Sequence, residues 1–226
     1  MNISHINDCC GCRACEHICS KKAISFSPNA EGFLVPIVDS DKCVECGVCY
    51  NKCPQAHFEE FNTNMATYAA LNRKKEIIFQ SSSGGAMSAF AKVILDEGGS
   101  VFGTYLNTDD WKCYFKEVTE EGQLAYLQGS KYVQSDTGDV YSTVKQRLGE
   151  GKTVLFIGVP CQVAGLISYL GSRPSKLYTI DILCHGTPAP ELFVQHIRFL
   201  EKKYGKKIHW LIFVRIIQME RISIVV

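Results

Sequence analysis

Eight of the twelve cysteines fall into two matching runs, and these runs dictate what the first part of the chain can become. The first run is Cys9, Cys12, Cys15 and Cys19; the second is Cys43, Cys46, Cys49 and Cys53, followed by Pro54. Both have the spacing C-x2-C-x2-C-x3-C, and each cysteine has its twin 34 positions away. Three cysteines at x2 intervals let one tight loop wrap three corners of a tetrahedral cage. The chain must then leave, so the fourth corner comes from elsewhere. This is the ligand pattern of a 4Fe–4S cubane. Zinc favours pairs of cysteines at x2 to x4, four to an ion, and matches this spacing poorly. Disulfides belong to oxidising compartments. The first 20 residues hold five cysteines and lack the apolar core of a secretory signal.

The runs resemble those of bacterial-type ferredoxins with two clusters, in which the fourth cysteine of each run ligates the other cluster. The resemblance implies Cys9, Cys12, Cys15 and Cys53 for one cluster and Cys43, Cys46, Cys49 and Cys19 for the other. Gly11 and Gly47 sit inside the loops, where a missing side chain lets backbone amides approach the cage. Pro54 fixes the turn after the second run; Ser20 stands at the matching place after the first. Cys10 fits neither run and reads as a non-ligand thiol.

A net charge of +1 indicates no polyanionic partner. The basic stretches 73–75 and 202–207 lack aromatic interleaving, so nucleic acid is not expected as a partner. No stretch has the ~18 uncharged apolar residues of a spanning helix.

Residues 1–60 read as the cluster domain, with a hairpin formed by 24–26 and 33–38 around a turn at 28–32. A linker is expected at 61–66. From 67 to 226 strands and helices alternate, giving an α/β domain with a mixed, partly parallel sheet after an α+β, bacterial-ferredoxin-like first domain. Expected strands are 68–71, 101–105, 113–118, the continuous apolar run 153–157, and 177–183. A helix opens after Ser81-Ser82-Ser83-Gly84-Gly85, with an apolar stripe of Ala86, Ala89, Phe90, Val93 and Ile94, and stops at Gly98-Gly99. Further helices carry Val140, Val144 and Leu148; Val163, Leu166, Ile167 and Leu170; and Phe193, Ile197, Leu200 and Tyr204. Residues 208–213 form a last expected strand, whose unpaired edge would be prone to aggregation.

Two loops leave the carboxyl ends of buried strands, where open α/β sheets bind ligands. One carries Cys161 and the other Cys184-His185-Gly186. If the strands are neighbours, the two cysteines face one another; otherwise they are ordinary buried thiols. Cys113 reads as packing. The opening Ser81 to Gly85 is either an anion site at a helix N-terminus or a plain cap.

These stretches together resemble the coenzyme F420 hydrogenase/dehydrogenase beta-subunit family, in members with a fused ferredoxin domain. The matching segments are D-C-C-G-C-R-A-C-E-H-I-C at 8–19, C-V-E-C-G-V-C-Y-N-K-C-P at 43–54, S-S-S-G-G-A at 81–86, G-S-K-Y-V-Q at 129–134, G-V-P-C-Q-V-A-G-L at 158–166 and C-H-G-T-P at 184–188. The resemblance implies an oxidoreductase subunit that passes electrons between 4Fe–4S clusters, FAD and a redox partner, either a protein or a small-molecule carrier. It places Ser82, Ser83, Gly84 and Gly85 near FAD phosphates, and Gly129, Ser130 and Lys131 around the flavin. It also implies a third cluster, of which Cys161 and Cys184 would be the remnant, since the family's downstream C-x-x-C pair does not follow them here. The stretch from Phe213 to Val226 departs from the family's continuation and reads as a truncated member. A cytoplasmic setting is expected. Two alternatives stand beside this reading: a pure ferredoxin-like electron relay, and a non-functional remnant.

Overall fold

The computed structural model describes residues 2–6, 8–57, 66–209, 211 and 213. All of the expected linker but Ala66, and the divergent stretch from 214 onward, lie outside these residues.

The first module is small. A 3-10 turn (Ile3–His5) precedes α1 (Ala14–Ile18); the hairpin β1 (Ile24–Pro28) and β2 (Leu34–Val38) follows, then α2 (Val48–Asn51). The hairpin is antiparallel with Ile24 opposite Val38 and Pro28 opposite Leu34, as the turn residues predict. The 34-residue repeat is written into the backbone as well as the cysteines. Gly11 and Glu45, one repeat apart, have φ of 71° and 49°; Arg13 and Gly47, also one repeat apart, have 61° and 76°. Each cluster loop therefore needs two left-handed residues. Each loop fills one with glycine and forces a side chain into the other, a conformation non-glycine residues rarely adopt.

The second module begins with α3 (Lys75–Gln80) and α4 (Ala86–Asp96), followed by β3 (Ser100–Asn107), β4 (Lys112–Val118), a 3-10 turn (Glu121–Tyr126) and the short β5 (Ser135–Asp136). Then come α5 (Val140–Gly149), β6 (Val154–Gly158), α6 (Pro160–Leu170), β7 (Leu177–Asp181) and α7 (Pro190–Tyr204). The sheet order is β5-β4-β3-β6-β7. β3 and β4 are antiparallel; the β4–β5, β3–β6 and β6–β7 pairs are parallel. The expected mixed, partly parallel sheet is thus present. Parallel neighbours need crossover connections: α5 lies in that from β3 to β6, α6 in that from β6 to β7, and the 3-10 turn in that from β4 to β5.

Strand alternation sorts the core onto two faces. Phe102, Val154 and Phe156 pack with Val140, Tyr141 and Val144 of α5 and Val163 and Leu166 of α6. Val101, Leu155 and Ile157 pack with Ala91, Ile94 and Leu95 of α4 on the other face. Cys12 and Ala14 of the first module belong to the α5–α6 core. The two modules therefore share one hydrophobic interior.

Several expectations fail for identifiable reasons. Residues 68–71 form no strand: the segment is held to the body by Asn72 N–H to Gly84 O (2.7 Å) and leaves Tyr68 and Leu71 exposed. The stripe expected for α4 is right only at Ile94, which is buried; Phe90 and Val93 are 57% and 55% exposed, and Ala91 and Leu95 are buried instead. The described residues of 208–213 form no strand; Ile208, Leu211 and Phe213 instead pack against Trp111 and Phe193 beneath α7. The edges of the five-stranded sheet are β5 and β7, and β7 stops at Asp181, short of the expected Leu183.

Candidate metal centre

The first three cysteines of the first run and the last cysteine of the second meet in one place. A cavity is lined by Cys9, Cys10, Cys12, Cys15 and Cys53, with Ile3, Arg13, Ala14, Phe26 and Pro54 closing its walls. The expected crossed set, three thiols from one loop and a fourth from the other run, is among these five, with Cys10 beside it. Cys12, Cys15 and Cys53 are buried. Burial pushes the Cys15 thiol well up, and the neighbouring Cys9, Cys53 and Cys49 add to the shift. Burial also raises Cys9, partly offset by the Gly11 amide. The Cys10 thiol beside it, then burial, raise Cys12. Buried thiols this close cannot all ionise unless a cation sits between them, and a metal core supplies that charge. The residues therefore fit a metal–sulfur cage. A single zinc ion draws its sulfurs to about 2.3 Å from one point. Among the described residues no three Cys, His, Asp or Glu side chains converge so as to hold one ion.

The second set is more open. Cys49 is buried, Cys19 and Cys43 are half-buried and Cys46 is exposed. Burial raises Cys49, which receives the Ile3 amide and has Cys19 as a charged neighbour. Asn2 Nδ2 lies 4.0 Å from Cys43 Sγ. Amides point at sulfur in both sets: Gly11 N–H to Cys9 Sγ (3.4 Å) and Ala23 N–H to Cys19 Sγ (3.3 Å). Hydrogen bonds to cluster sulfurs are one of the means by which a protein sets reduction potential.

The first loop is fastened to the α/β sheet. Arg13 Nε lies 2.6 Å from Asp136 Oδ1 and Nη2 donates to Oδ2 at 2.8 Å, while Nη1 donates to Glu16 (2.6 Å). The guanidinium lies over Phe26 at 4.7 Å. Thr137 Oγ1 donates to Cys12 O (3.3 Å), and His17 Nε2 to Gly138 O (2.7 Å). Gln134 Oε1 accepts from Leu34 N–H (3.1 Å). Gly11 packs so closely on this glutamine that a Cβ there would stand 2.5 Å from Nε2. Gly165 of α6 meets Cys12 in the same way: a Cβ would lie 3.1 Å from both Cβ and Sγ of Cys12. None of Gln134, Asp136 or Gly165 carries a sequence signal for this role, since each acts across about 100 residues of chain or more.

The two loops at the sheet edge also meet. β6 and β7 are parallel neighbours with Gly158 opposite Asp181, and Ile182 N–H donates to Gly158 O (2.9 Å). Cys161 is half-buried in the first turn of α6, and Cys184 is exposed in the loop after β7. Cys113, by contrast, is buried under α7 with Trp111 and Phe193.

The serine–glycine loop and the 129–131 loop are adjacent, because Ser130 N–H donates to Ser82 Oγ (2.7 Å). Gly85 and Gly129 hold φ of 73° and 79°. Gly84 is pinned near Ala70 O, where a Cβ would approach to 2.5 Å. Ser83 has no contact that singles it out. Lys131 Nζ donates to Tyr126 O (3.2 Å) and Gln128 O (2.9 Å), and burial lowers its pKa to about 8.

The cysteine-rich module falls in a class, the 4Fe-4S dicluster domains. Residues 8–56 match the 4Fe-4S dicluster domain. Residues 151–223 match the C-terminal part of the coenzyme F420 hydrogenase/dehydrogenase beta subunit. The chain thus joins a segment that matches the 4Fe-4S dicluster domain to one that matches the C-terminal part of the coenzyme F420 hydrogenase/dehydrogenase beta subunit. No curated relative matches it. Among solved structures, a chain of the F420-reducing [NiFe] hydrogenase complex from Methanosarcina barkeri is similar at 19% identity and a TM-score of 0.45. The match covers 57% of this chain and 48% of that one, so this chain spans about half of its length. Among the described residues no helix is long and apolar enough to cross a membrane.

Proposed function

We propose that the chain is an electron-transfer oxidoreductase subunit with two 4Fe–4S clusters, one held by Cys9, Cys12, Cys15 and Cys53 and the other by Cys43, Cys46, Cys49 and Cys19. When bound, such clusters carry electrons one at a time. The observation that carries the reading is Cys53 in the same cavity wall as Cys9, Cys12 and Cys15.

The residues divide the work. The Cys9–Cys15 loop lies on the seam, fixed by Arg13 to Asp136 and by Gly165 against Cys12, so this set is the one nearer the α/β sheet. The exposed Cys46 leaves the other set facing outward, where a redox partner, a protein or a small carrier, would dock. On the sheet side, Ser82, Ser83, Gly84 and Gly85 would receive the phosphates of FAD, with Gly129, Ser130 and Lys131 closing the same pocket. The Ser130–Ser82 hydrogen bond, which holds the two loops together, supports this. A flavin there would convert between single electrons and pairs. Cys161 and Cys184 are two of the thiols that a third cluster would need.

The test is the content of protein reconstituted anaerobically with iron, sulfide and FAD. About eight iron and eight sulfide per chain, with one flavin, is the expected result. Stoichiometric zinc in the native protein, with no iron uptake, overturns the reading.

A further inference from the structure

Arg13 lines the same cavity as Cys9, Cys12, Cys15 and Cys53, yet its side chain is no ligand for a metal cage. Its backbone φ is 61°, in the left-handed region that side chains rarely adopt. One repeat later the same position holds Gly47, at 76°. The second loop makes this turn with the residue type that suits it; the first keeps a large cationic side chain there. Backbone strain retained beside a site points to a use for the side chain that carries it. The guanidinium is 13% exposed and held from several sides. Nη1 donates to Glu16 Oε2 (2.6 Å), Nη2 donates to Asp136 Oδ2 (2.8 Å), and the Phe26 ring lies 4.7 Å away. Nε is shut off from water and stands 2.6 Å from Asp136 Oδ1, a charge contact outside hydrogen-bonding geometry. Asp136 is itself fixed, since its Oδ1 accepts Gly138 N–H at 2.8 Å. A guanidinium keeps its charge throughout the accessible pH range, so a permanent cation is built into the wall of the cavity.

We propose that Arg13 sets the reduction potential of the first cluster apart from that of the second, with Asp136 as the positioning residue that holds its charge and partly neutralises it. The inference rests on Cys9, Cys12, Cys15 and Cys53 being the ligands of a 4Fe–4S cluster, as proposed above. One electron taken from the redox partner adds one negative charge to such a cage. A fixed cation in the wall favours the reduced form and raises the potential, since net charge around a cluster is one of the levers on it. Burial strengthens the effect, because charges interact more strongly where water is excluded. The Asp136 carboxylate works in the opposite sense. The second loop has no counterpart to this pair. Its residue at the Arg13 position is Gly47, and its other left-handed position carries the exposed Glu45 where the first loop has Gly11. Two loops that share one cysteine spacing therefore differ in the sign of the side chain at their left-handed positions, and only the first is tied to the sheet through it.

The test uses the full chain, reconstituted anaerobically and titrated with dithionite in the presence of redox mediators, with the paramagnetic resonance of each reduced cluster as the readout. Arg13→Gln should lower the potential of one cluster by the equivalent of about tenfold in the one-electron equilibrium, which is about 59 mV, and leave the other in place. Arg13→Lys keeps the charge and should recover part of that shift. Asp136→Asn removes the neutralising carboxylate while Glu16 and Phe26 still hold the guanidinium, so the same cluster should shift upward. A seam that is merely loosened moves both variants in one direction. In protein carrying Cys9→Ser and Cys53→Ser, where the second cluster alone remains, Arg13→Gln should move nothing. Unchanged potentials in Arg13→Gln overturn the proposal, as do equal shifts of both clusters or shifts of the same sign in Arg13→Gln and Asp136→Asn. If Arg13→Gln cannot hold its iron, Asp136→Asn decides: a raised potential of one cluster supports the proposal, and an unchanged or lowered one overturns it. Failure of the wild-type chain to take up iron would instead overturn the two-cluster reading, so the two failures are distinguishable.

Discussion

Gly165→Ala probes the wall between α6 and the Cys9–Cys15 cluster. Replacing a helix-interior glycine with alanine ordinarily stabilises a helix by roughly 0.8–1.0 kcal/mol. Here the new methyl would stand 2.8 Å from Tyr141 Oη and 3.1 Å from Cβ and Sγ of Cys12. Tyr141 is fully buried, and its hydroxyl donates to Gln162 O at 2.8 Å, so it has no free direction in which to yield. Overpacking of this kind costs roughly 1–3 kcal/mol. The two effects leave a net destabilisation of about 0–2 kcal/mol. The larger consequence is local, because relief comes most readily by moving Cys12 off its ligand position. The assay is iron loss to a chelator under anaerobic conditions, followed with the paramagnetic resonance of the reduced protein. Gly165→Ala should lose about half its iron several-fold faster than wild type, the rest leaving at the wild-type rate. Gly149→Ala is the control: that glycine ends α5 with no atom within 4 Å of a Cβ, so only the propensity gain applies. Iron loss and resonance in Gly165→Ala identical to wild type would show that α6 does not bound the cluster.

Asp136→Asn removes one partner of the paired Arg13 contact at the seam and should lower stability by about 1.5–3 kcal/mol, read from denaturant midpoints. Ser82→Ala removes the acceptor for Ser130 N–H and should reduce FAD occupancy after reconstitution without changing iron content. Ser130→Ala should spare occupancy, since its backbone N–H is the donor. Lys131 is a cation below its lowered pKa of about 8 and neutral above it, so affinity for the anionic FAD should weaken as pH rises through about 8. The same depression means the folded state sheds this proton before the unfolded state does, so stability should rise from pH 8 toward the ordinary lysine value of 10.5. Lys131→Gln should flatten both profiles in fluorescence titration and thermal unfolding.

The parts of the chain legible in the sequence were those with a repeating or unambiguous local signal. The two cysteine runs announce their spacing, the run 153–157 is apolar on both faces and becomes the fully buried β6, and the turn 28–32 fixes the hairpin register. α4 was legible as a helix, but its buried face was not. Apolar residues occur on both of its sides, and which side is buried depends on the sheet it meets. Residues 68–71 have strand composition and no strand beside them. The seam was the least legible part. Arg13 and Asp136, Gln134 and Leu34, Gly165 and Cys12 are joined only by tertiary packing. Cys10 offered no spacing at all. One signal in the sequence was there to be used: the 34-residue repeat pairs Gly11 with Glu45 and Gly47 with Arg13, which marks two left-handed positions in each loop.

The crossed ligand sets are tested most directly by counting iron in two double variants reconstituted anaerobically. Cys9 and Cys53 share a cavity, so Cys9→Ser with Cys53→Ser should remove one cluster and leave about four iron per chain with a single reduced-state resonance. Cys9→Ser with Cys19→Ser should remove both. The opposite pattern, with the second pair retaining four iron and the first none, would mean that each run encloses its own cluster and would contradict the crossed arrangement.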